Sequence, residues 1–253
     1  MRLRLIEADG LSWKLLLEPH GRSGAENMAL DAALLDRADC MGEAFLRLYR
    51  FDPPCLSLGR NEPTARYDRS AIARLALDVV RRPTGGCAVW HEHEVTYAVA
   101  APIATFGGLR EAYRAIHTRL SAALQSLGVD ATLALARPRL PSPAFHRPGP
   151  CFATPVGGEV LVAGRKLVGS AQVRKRNAFL QHGSILLDGS QEIVSLVSRG
   201  SSVVSRETTL SSELRRHVSF DEVADAIVAA WDAGATSTPS LLDLAPLAAA
   251  VKS

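Results

Sequence analysis

Three residues of this 253-residue chain carry side chains suited to acyl chemistry and fall within one stretch, 150–187. They are the thiol of Cys151, the amine of Lys166 and the imidazole of His182. Cys151 closes a proline-rich segment, and a loop after Gly149-Pro150 is a poor place to bury a cysteine as a small core hydrophobe. That context favours a nucleophile, because an exposed thiol can be activated by a nearby cation or base. Lys166 and His182 stand beside runs of small residues, Gly169-Ser170-Ala171 and Gly183-Ser184. Small residues inside strands weaken packing and mark places where a ligand or another backbone comes close. Lysine is also scarce here: of 29 basic residues only Lys14, Lys166, Lys175 and Lys252 are lysines. Arginine is the routine surface cation, so a lysine within a strand pattern calls for a specific role.

The elements that must position these groups can be read from period and turn chemistry. Within 150–187, strands are expected at 159–163 and 166–172 around a turn at Gly164-Arg165, with 178–187 returning after a basic turn at 174–177. Further back, 1–19 alternates enough for one or two strands about Asp9-Gly10, and Ser23 with Glu26 makes a capping box for a helix whose buried face carries Met28, Ala32 and Leu35. Strands are expected at 45–49 and 55–58, a helix capped by Asp68 with Ile72 and Leu75 on its apolar face, and a buried strand at 78–82. A long amphipathic helix, 109–127, ends at Gly128. The segment 137–158 holds six prolines and three glycines and reads as a long ordered loop. Short helices are expected at 192–198 and 211–217, and Ser219 with Glu222 starts another that runs to about Trp231.

A second stretch, 81–100, adds Arg81 and Arg82, the paired glycines Gly85-Gly86, and strands at 88–91 and 95–100. On spacing alone two readings stand: a hairpin turn with two solvated arginines, or a backbone shaped to approach an anionic or polar ligand. His91 and His93, two apart on a strand, would share one face; with no third ligand in sight they do not make a metal site. Glu92 and Glu94 read as solvated charges. Cys40 and Cys55 sit in apolar contexts and are expected in the core.

Composition sets the outer bounds. At 47% hydrophobic and 22% charged, the chain is of ordinary globular make-up. No apolar run reaches the ~18 residues of a membrane span, and the first residues lack the apolar core of a signal peptide, so a cytoplasmic protein without a membrane partner is expected. The four cysteines show no C-x-x-C spacing, which favours free thiols. A net charge of +3, spread along the chain, gives no support to nucleic-acid binding.

Three blocks in order carry a family resemblance. RRPTGGCAVWH (81–91) resembles the RRxxGGGxVxH ligand loop of the superfamily of lipoate–protein ligases, octanoyltransferases and biotin–protein ligases. KLVGSAQ (166–172) resembles its KxxGSA strand and HGSILL (182–187) its HG[ST]LL strand, while ENMALD (26–31) is similar to its first helix. The resemblance covers roughly 20–230. One position departs: Cys87 stands where the family has the third glycine. The resemblance implies an α/β (α+β) catalytic domain over 1–235, with a central, mostly antiparallel sheet flanked by helices, followed by a tail or short helix at 236–253 and no accessory domain. It also implies Cys151 and Lys166 as catalytic residues, and a substrate site formed by Arg81, Arg82, Gly85, Gly86, His91, Gly169, Ser170, Ala171, His182 and Gly183. Between a functional and a structural His182 both readings stay open.

Within the superfamily, Cys151-Phe152, fifteen residues before Lys166, resembles the cysteine-dependent octanoyltransferases. That branch implies an octanoyl or lipoyl group moved from octanoyl-acyl carrier protein, through a cysteine thioester and with no cofactor, to one lysine of a lipoyl domain or glycine-cleavage H protein. Two alternatives stand beside it. An ATP-dependent lipoate–protein ligase would use lipoate, ATP and Mg, with Arg81, Arg82 and Lys166 on the phosphates, and biotin is a further ligand option. A non-catalytic paralogue would only bind lipoyl domains.

Overall fold

Turn chemistry and strand period together build a six-stranded sheet. The computed structural model describes residues 2–134, 158–199 and 207–233. β1 (Arg2–Ala8) turns at Asp9-Gly10, both at positive φ, into β2 (Leu11–Arg22). Ser23 then caps α1 (Gly24–Met41): its Oγ accepts from the Glu26 N–H, and the Glu26 carboxylate accepts from the Ser23 N–H at 3.0 Å. Gly42, at φ +68°, stops the helix in the left-handed conformation that glycine adopts at least cost. β3 (Ala44–Phe51) and β4 (Cys55–Leu58) follow, then α2 (Arg69–Arg74), capped by Asp68, and β5 (Asp78–Arg81). β6 (Val89–His91), β7 (Glu94–Pro102), α3 (Leu109–Ser126) and β8 (Ala131–Leu133) come next. After residues 135–157 come β9 (Val160–Val162), β10 (Arg165–Lys166), β11 (Val168–Lys175), β12 (Ala178–Leu186) and α4 (Glu192–Val197), and then α5 (Leu210–Leu214) and α6 (Phe220–Ala233).

The main sheet runs β1-β2-β3-β7-β12-β11, antiparallel throughout except for the parallel β2–β3 pair. The expected mixed, mostly antiparallel sheet with flanking helices is the one observed. Period 2 assigns its two faces. On β3, Leu46 and Leu48 join one core with Ile116 and Leu120 of α3 and Ile227 and Trp231 of α6. Phe45 and Tyr49 face the other way, onto Met28, Leu34 and Leu35 of α1. Two three-stranded sheets complete the scaffold, β5-β4-β6 and β10-β9-β8.

Several local expectations need correction. The hairpin turn is Ala163-Gly164, one residue earlier than read, because Arg165 pairs with Val162 and both turn residues take positive φ. Residues 166–172 do not form one strand: the chain leaves the small sheet at Lys166 and enters the large one at Val168. Leu75 and Cys40, read as apolar-face residues, are exposed, whereas Cys55 is fully buried. The strand at 78–81 is half-buried, with Arg81 at its exposed end. The 137–158 loop, apart from Gly158, and the 236–253 tail lie outside the described residues. No helix among the described residues is long and apolar enough to cross a membrane.

Candidate active site

The two strand motifs become one surface through pairing. β11 and β12 run antiparallel in a register that sets Gly169 opposite Ser184, Ser170 opposite Gly183 and Ala171 opposite His182. β7 continues the surface, with Thr96 opposite Ser184 and Ala98 opposite His182. At Gly183 a Cβ would meet the Gly169 carbonyl oxygen at 2.3 Å and the Tyr97 ring at 2.8 Å, so only glycine fits this crossing. Over this surface lies a cleft whose empty space, open solvent included, is about 360 Å³. Its apolar wall is Met28 of α1, Tyr49 and Phe51 of β3, and Val89 of β6. Its polar wall holds Ser57, Arg82, His91, Thr96, His182 and Ser184, with Gly169, Ser170, Ala171 and Gly183 between.

Of the residues expected at the site, the cavity therefore gathers Arg82, His91, Gly169, Ser170, Ala171, His182 and Gly183. Arg82 is buried and binds the loop to β4. Its Nη1 donates to the Ser57 carbonyl at 3.0 Å, and its other nitrogens donate to the Gly85 and Cys87 carbonyls. Arg81, Gly85 and Gly86 lie off the cavity wall. Arg81 is exposed and donates to the Gly59, Arg60 and Glu62 carbonyls. Gly86 takes φ +91°, and its carbonyl oxygen lies 2.0 Å from where a Cβ on Gly59 would stand, so these glycines pack backbone on backbone. Lys166 is off the wall as well: it is 1% exposed, and its Nζ donates to Glu159 at 2.7 Å, itself 2% exposed. Cys151 lies outside the described residues.

Two histidines on the wall are each held between a buried carboxylate and a hydroxyl. His182 places Nδ1 2.9 Å from Asp31 Oδ2 and Nε2 2.6 Å from Thr84 Oγ1. His91 places Nδ1 2.6 Å from Glu94 Oε1 and Nε2 2.7 Å from Ser57 Oγ, and its ring stacks on Phe51 at 4.1 Å. Glu94 is thus no solvated charge: it is 1% exposed, and Thr96 Oγ1 also donates to it. His91 and His93 do not share a strand face, since β6 ends at His91 and His93 is exposed.

Beneath His182 lies an ionic knot that the sequence reading missed. Arg47, fully buried, donates to Glu18 (2.6 Å), Asp31 (2.8 Å) and the Asn27 side-chain oxygen (2.7 Å). Tyr49 donates to Asp31 at 2.9 Å. Burial pushes the Asp31 carboxyl upward, but the His182 hydrogen bond and the Arg47 charge outweigh it and hold the group below the usual aspartate range. Burial lowers His182, with Arg82 and His91 adding to the effect, against the upward pull of Asp31. A signal was available, since Asn27 and Asp31 fall at i, i+4 on the same helical stripe as Met28, Leu34 and Leu35. On the opposite side of the sheet, His117 of α3 sits 2.8 Å from Ser170 Oγ, which contacts Tyr97 OH at 2.6 Å. Burial, with the Lys166 charge adding to it, pushes His117 down to about 3, against the upward pull of the Gly158 backbone.

A two-motif strand surface under a cavity with one apolar and one polar wall is a site for a ligand that is part apolar and part polar, and comparison with known proteins places the chain in a family. Residues 23–232 match the lipoyl protein ligase A/B catalytic domain, and the chain belongs to that family. It is 41% identical over 229 residues to the octanoyltransferase LipM of Kyrpidia tusciae, covering 87% of this chain and 82% of the relative. It is 38% identical over 250 residues to the octanoyltransferase LipM of Symbiobacterium thermophilum, covering 91% and 90%. The chain is accordingly an acyltransferase. Among solved structures it is similar to a putative lipoate protein ligase from T. acidophilum with bound lipoic acid (TM-score 0.68, 22% identity, 87% of this chain and 84% of that one). It is also similar to a lipoate-protein ligase A bound with ATP (TM-score 0.69, 22% identity, 87% and 84%). At that identity both speak for the fold.

Proposed function

We propose that the protein transfers an octanoyl, or lipoyl, group to a lysine of a lipoyl domain or glycine-cleavage H protein, through a thioester on Cys151. Octanoyl-acyl carrier protein is the donor. The observation that carries this reading is the cavity. It is walled on one side by the paired motif strands and on the other by Met28, Tyr49, Phe51 and Val89, in a chain about two-fifths identical to octanoyltransferases. Its apolar side suits a hydrocarbon chain, and its polar side suits the carbonyl and nucleophiles.

The chemistry runs in two steps. The Cys151 thiolate attacks the donor thioester, forming a new C–S bond as the carrier thiolate leaves. The acceptor lysine amine then attacks the Cys151 thioester, forming the C–N bond and releasing Cys151. The acyl group stays activated throughout, so no cofactor is required. Lys166 retains a catalytic assignment in this reading. Its buried pair with Glu159 is close to neutral overall, so the role assigned to Lys166 is that of a fixed N–H donor more than of a net positive field.

The alternative is a ligase that makes an acyl-adenylate with ATP and Mg. The geometry favours it less, because Arg81, Arg82 and Lys166, the cations that would meet its phosphates, are each engaged by protein oxygens. The test is mass spectrometry of intact enzyme given octanoyl-acyl carrier protein alone. A gain of one octanoyl group, lost in Cys151→Ala together with transfer to an apo lipoyl domain, is expected. ATP-dependent lipoylation undiminished in Cys151→Ala would hand the case to the ligase. Acceptor binding without transfer from either donor would leave a binding protein.

A further inference from the structure

Ser57 belongs to none of the motifs, yet it opens a continuous hydrogen-bonded line from the cavity into the core. Its Oγ lies 2.7 Å from His91 Nε2, and His91 Nδ1 lies 2.6 Å from Glu94 Oε1. A carboxylate against Nδ1 fixes the hydrogen on that nitrogen, so Nε2 is the acceptor and the Ser57 hydroxyl its donor. Arg82 Nη1 donates to Ser57 Oγ at 3.1 Å, which favours negative charge developing on that oxygen. Phe51, stacked on the imidazole at an interplanar angle of 18°, fixes the ring plane. Ser57 and His91 both line the cavity, and Glu94 stands behind them in the core.

The second step of the proposed reaction needs such a line. The acceptor lysine arrives as an ammonium with an ordinary pKa near ~10.4, so at neutral pH fewer than about one in a thousand is a nucleophile. We propose that Ser57, His91 and Glu94 form the proton acceptor for that lysine, an inference that rests on the thioester reading above. The ammonium gives one proton to Ser57 Oγ as the Ser57 hydroxyl proton passes to His91 Nε2, leaving a neutral amine and an imidazolium beside Glu94. The amine attacks the thioester carbonyl, the C–N bond forms, and the C–S bond breaks with its electron pair on the Cys151 sulfur. The second amine proton goes to that thiolate, and the imidazolium returns its proton to solvent. Ammonium and thioester thus become amide, thiol and one released proton. Ser57 and His91 are catalytic residues in this scheme, and Glu94 is a positioning residue. The other wall histidine is set differently: Ser57 and Thr84 are equally buried, but Thr84, the hydroxyl on its Nε2, is off the cavity wall.

The experiment separates proton removal from everything else. Acyl-enzyme is prepared from wild type, His91→Gln, Glu94→Gln and Ser57→Ala. Each is then offered either an apo lipoyl domain or hydroxylamine, a nucleophile already neutral at neutral pH. The ratio of lysine transfer to hydroxylamine transfer is independent of the fraction of each preparation that is folded. It is expected to fall by about 10²–10⁴-fold in His91→Gln, the usual span of general-base catalysis, and by less in Glu94→Gln and Ser57→Ala. A ratio equal to wild type in all three variants would overturn the assignment, as would equal loss toward both nucleophiles, which is the mark of a purely structural role. If wild type itself forms no acyl-enzyme, the thioester reading fails, and this inference fails with it.

Discussion

His91 and His182 each have a buried carboxylate at Nδ1 and a hydroxyl at Nε2, with the Ser184 hydroxyl a further 3.2 Å neighbour of His91 Nδ1, and they differ most in what lies beyond. The carboxylate behind His182, Asp31, is shared with Arg47 and Tyr49, so the imidazole is one spoke of an ionic hub that ties α1 to β3. Among the described residues, the carboxylate behind His91, Glu94, is shared only with the Thr96 hydroxyl and has no arginine among its hydrogen-bond partners. Ahead of them the contrast is sharper, since Ser57 is on the cavity wall and Thr84 is not. A hydrogen-bonded triplet therefore does not announce its role. The role depends on whether its hydroxyl end meets a substrate and whether its acid end is already committed to a cation.

The largest expected effect tests the hub. Asp31→Ala leaves Arg47 buried with one fewer anion, and breaking a buried pair from one side costs about 3–5 kcal/mol. Urea unfolding should register that loss, and a loss below about 1 kcal/mol would erase the distinction between the two histidines. The sign of the pH effect follows from the lowered Asp31 pKa. Its contribution is fully present above the unfolded value near ~3.9 and is lost as pH falls through the lower folded value, so Asp31→Ala should also blunt acid unfolding below about pH 4.

A third buried imidazole sharpens the comparison, because among the described residues His117 has no carboxylate as a hydrogen-bond partner. With its pKa held at about 3, the folded state stays unprotonated between there and the unfolded value of ~6.5, while the unfolded chain takes up a proton. Stability is thus full above ~6.5 and falls as pH drops toward 3. Between pH 7 and 5 the wild type should lose about 2 kcal/mol more than His117→Gln, as read from urea midpoints at the two pH values. Equal losses would mean that His117 is solvated.

The smallest effect belongs to Thr84→Val. It removes the hydroxyl on His182 Nε2 with little change of shape, and should cost about 1 kcal/mol, or up to ~3 if the nitrogen is left unpaired. The lysine-to-hydroxylamine ratio should stay at the wild-type value. A fall in that ratio comparable to that of Ser57→Ala would make the two relays equivalent.

Much of the scaffold could be read from local chemistry. The capping box at Ser23 and Glu26, the turn at Asp9-Gly10, the amphipathic stripe of 109–127 and the glycine stop at 128 are all signals within a few residues of the structure they specify. The three ordered motifs likewise identified the family, because each is a local pattern. Where the chain changes sheets, as at Leu167 between β10 and β11, no local period marks the break.

The site itself was decided by pairing across long separations. Ser57 meets His91 across 34 positions, Thr84 meets His182 across 98, and Asp31 meets His182 across 151. The same is true of the fates of the charged residues. Glu94 looked solvated because a carboxylate beside two histidines and a second glutamate has no local reason to be buried, and only the arrival of Thr96, Ser184 and Ser57 around His91 gives it one. Adjacent arginines parted for a similar reason, Arg82 turning into the wall toward Ser57 and Arg81 out onto the 59–62 turn, each toward carbonyls that only the fold brings near. The sequence by itself thus determined which elements form and to which family they belong. Only the tertiary structure decided which side chains meet, because hydrogen-bond geometry is set over a few ångströms between residues that the chain keeps far apart.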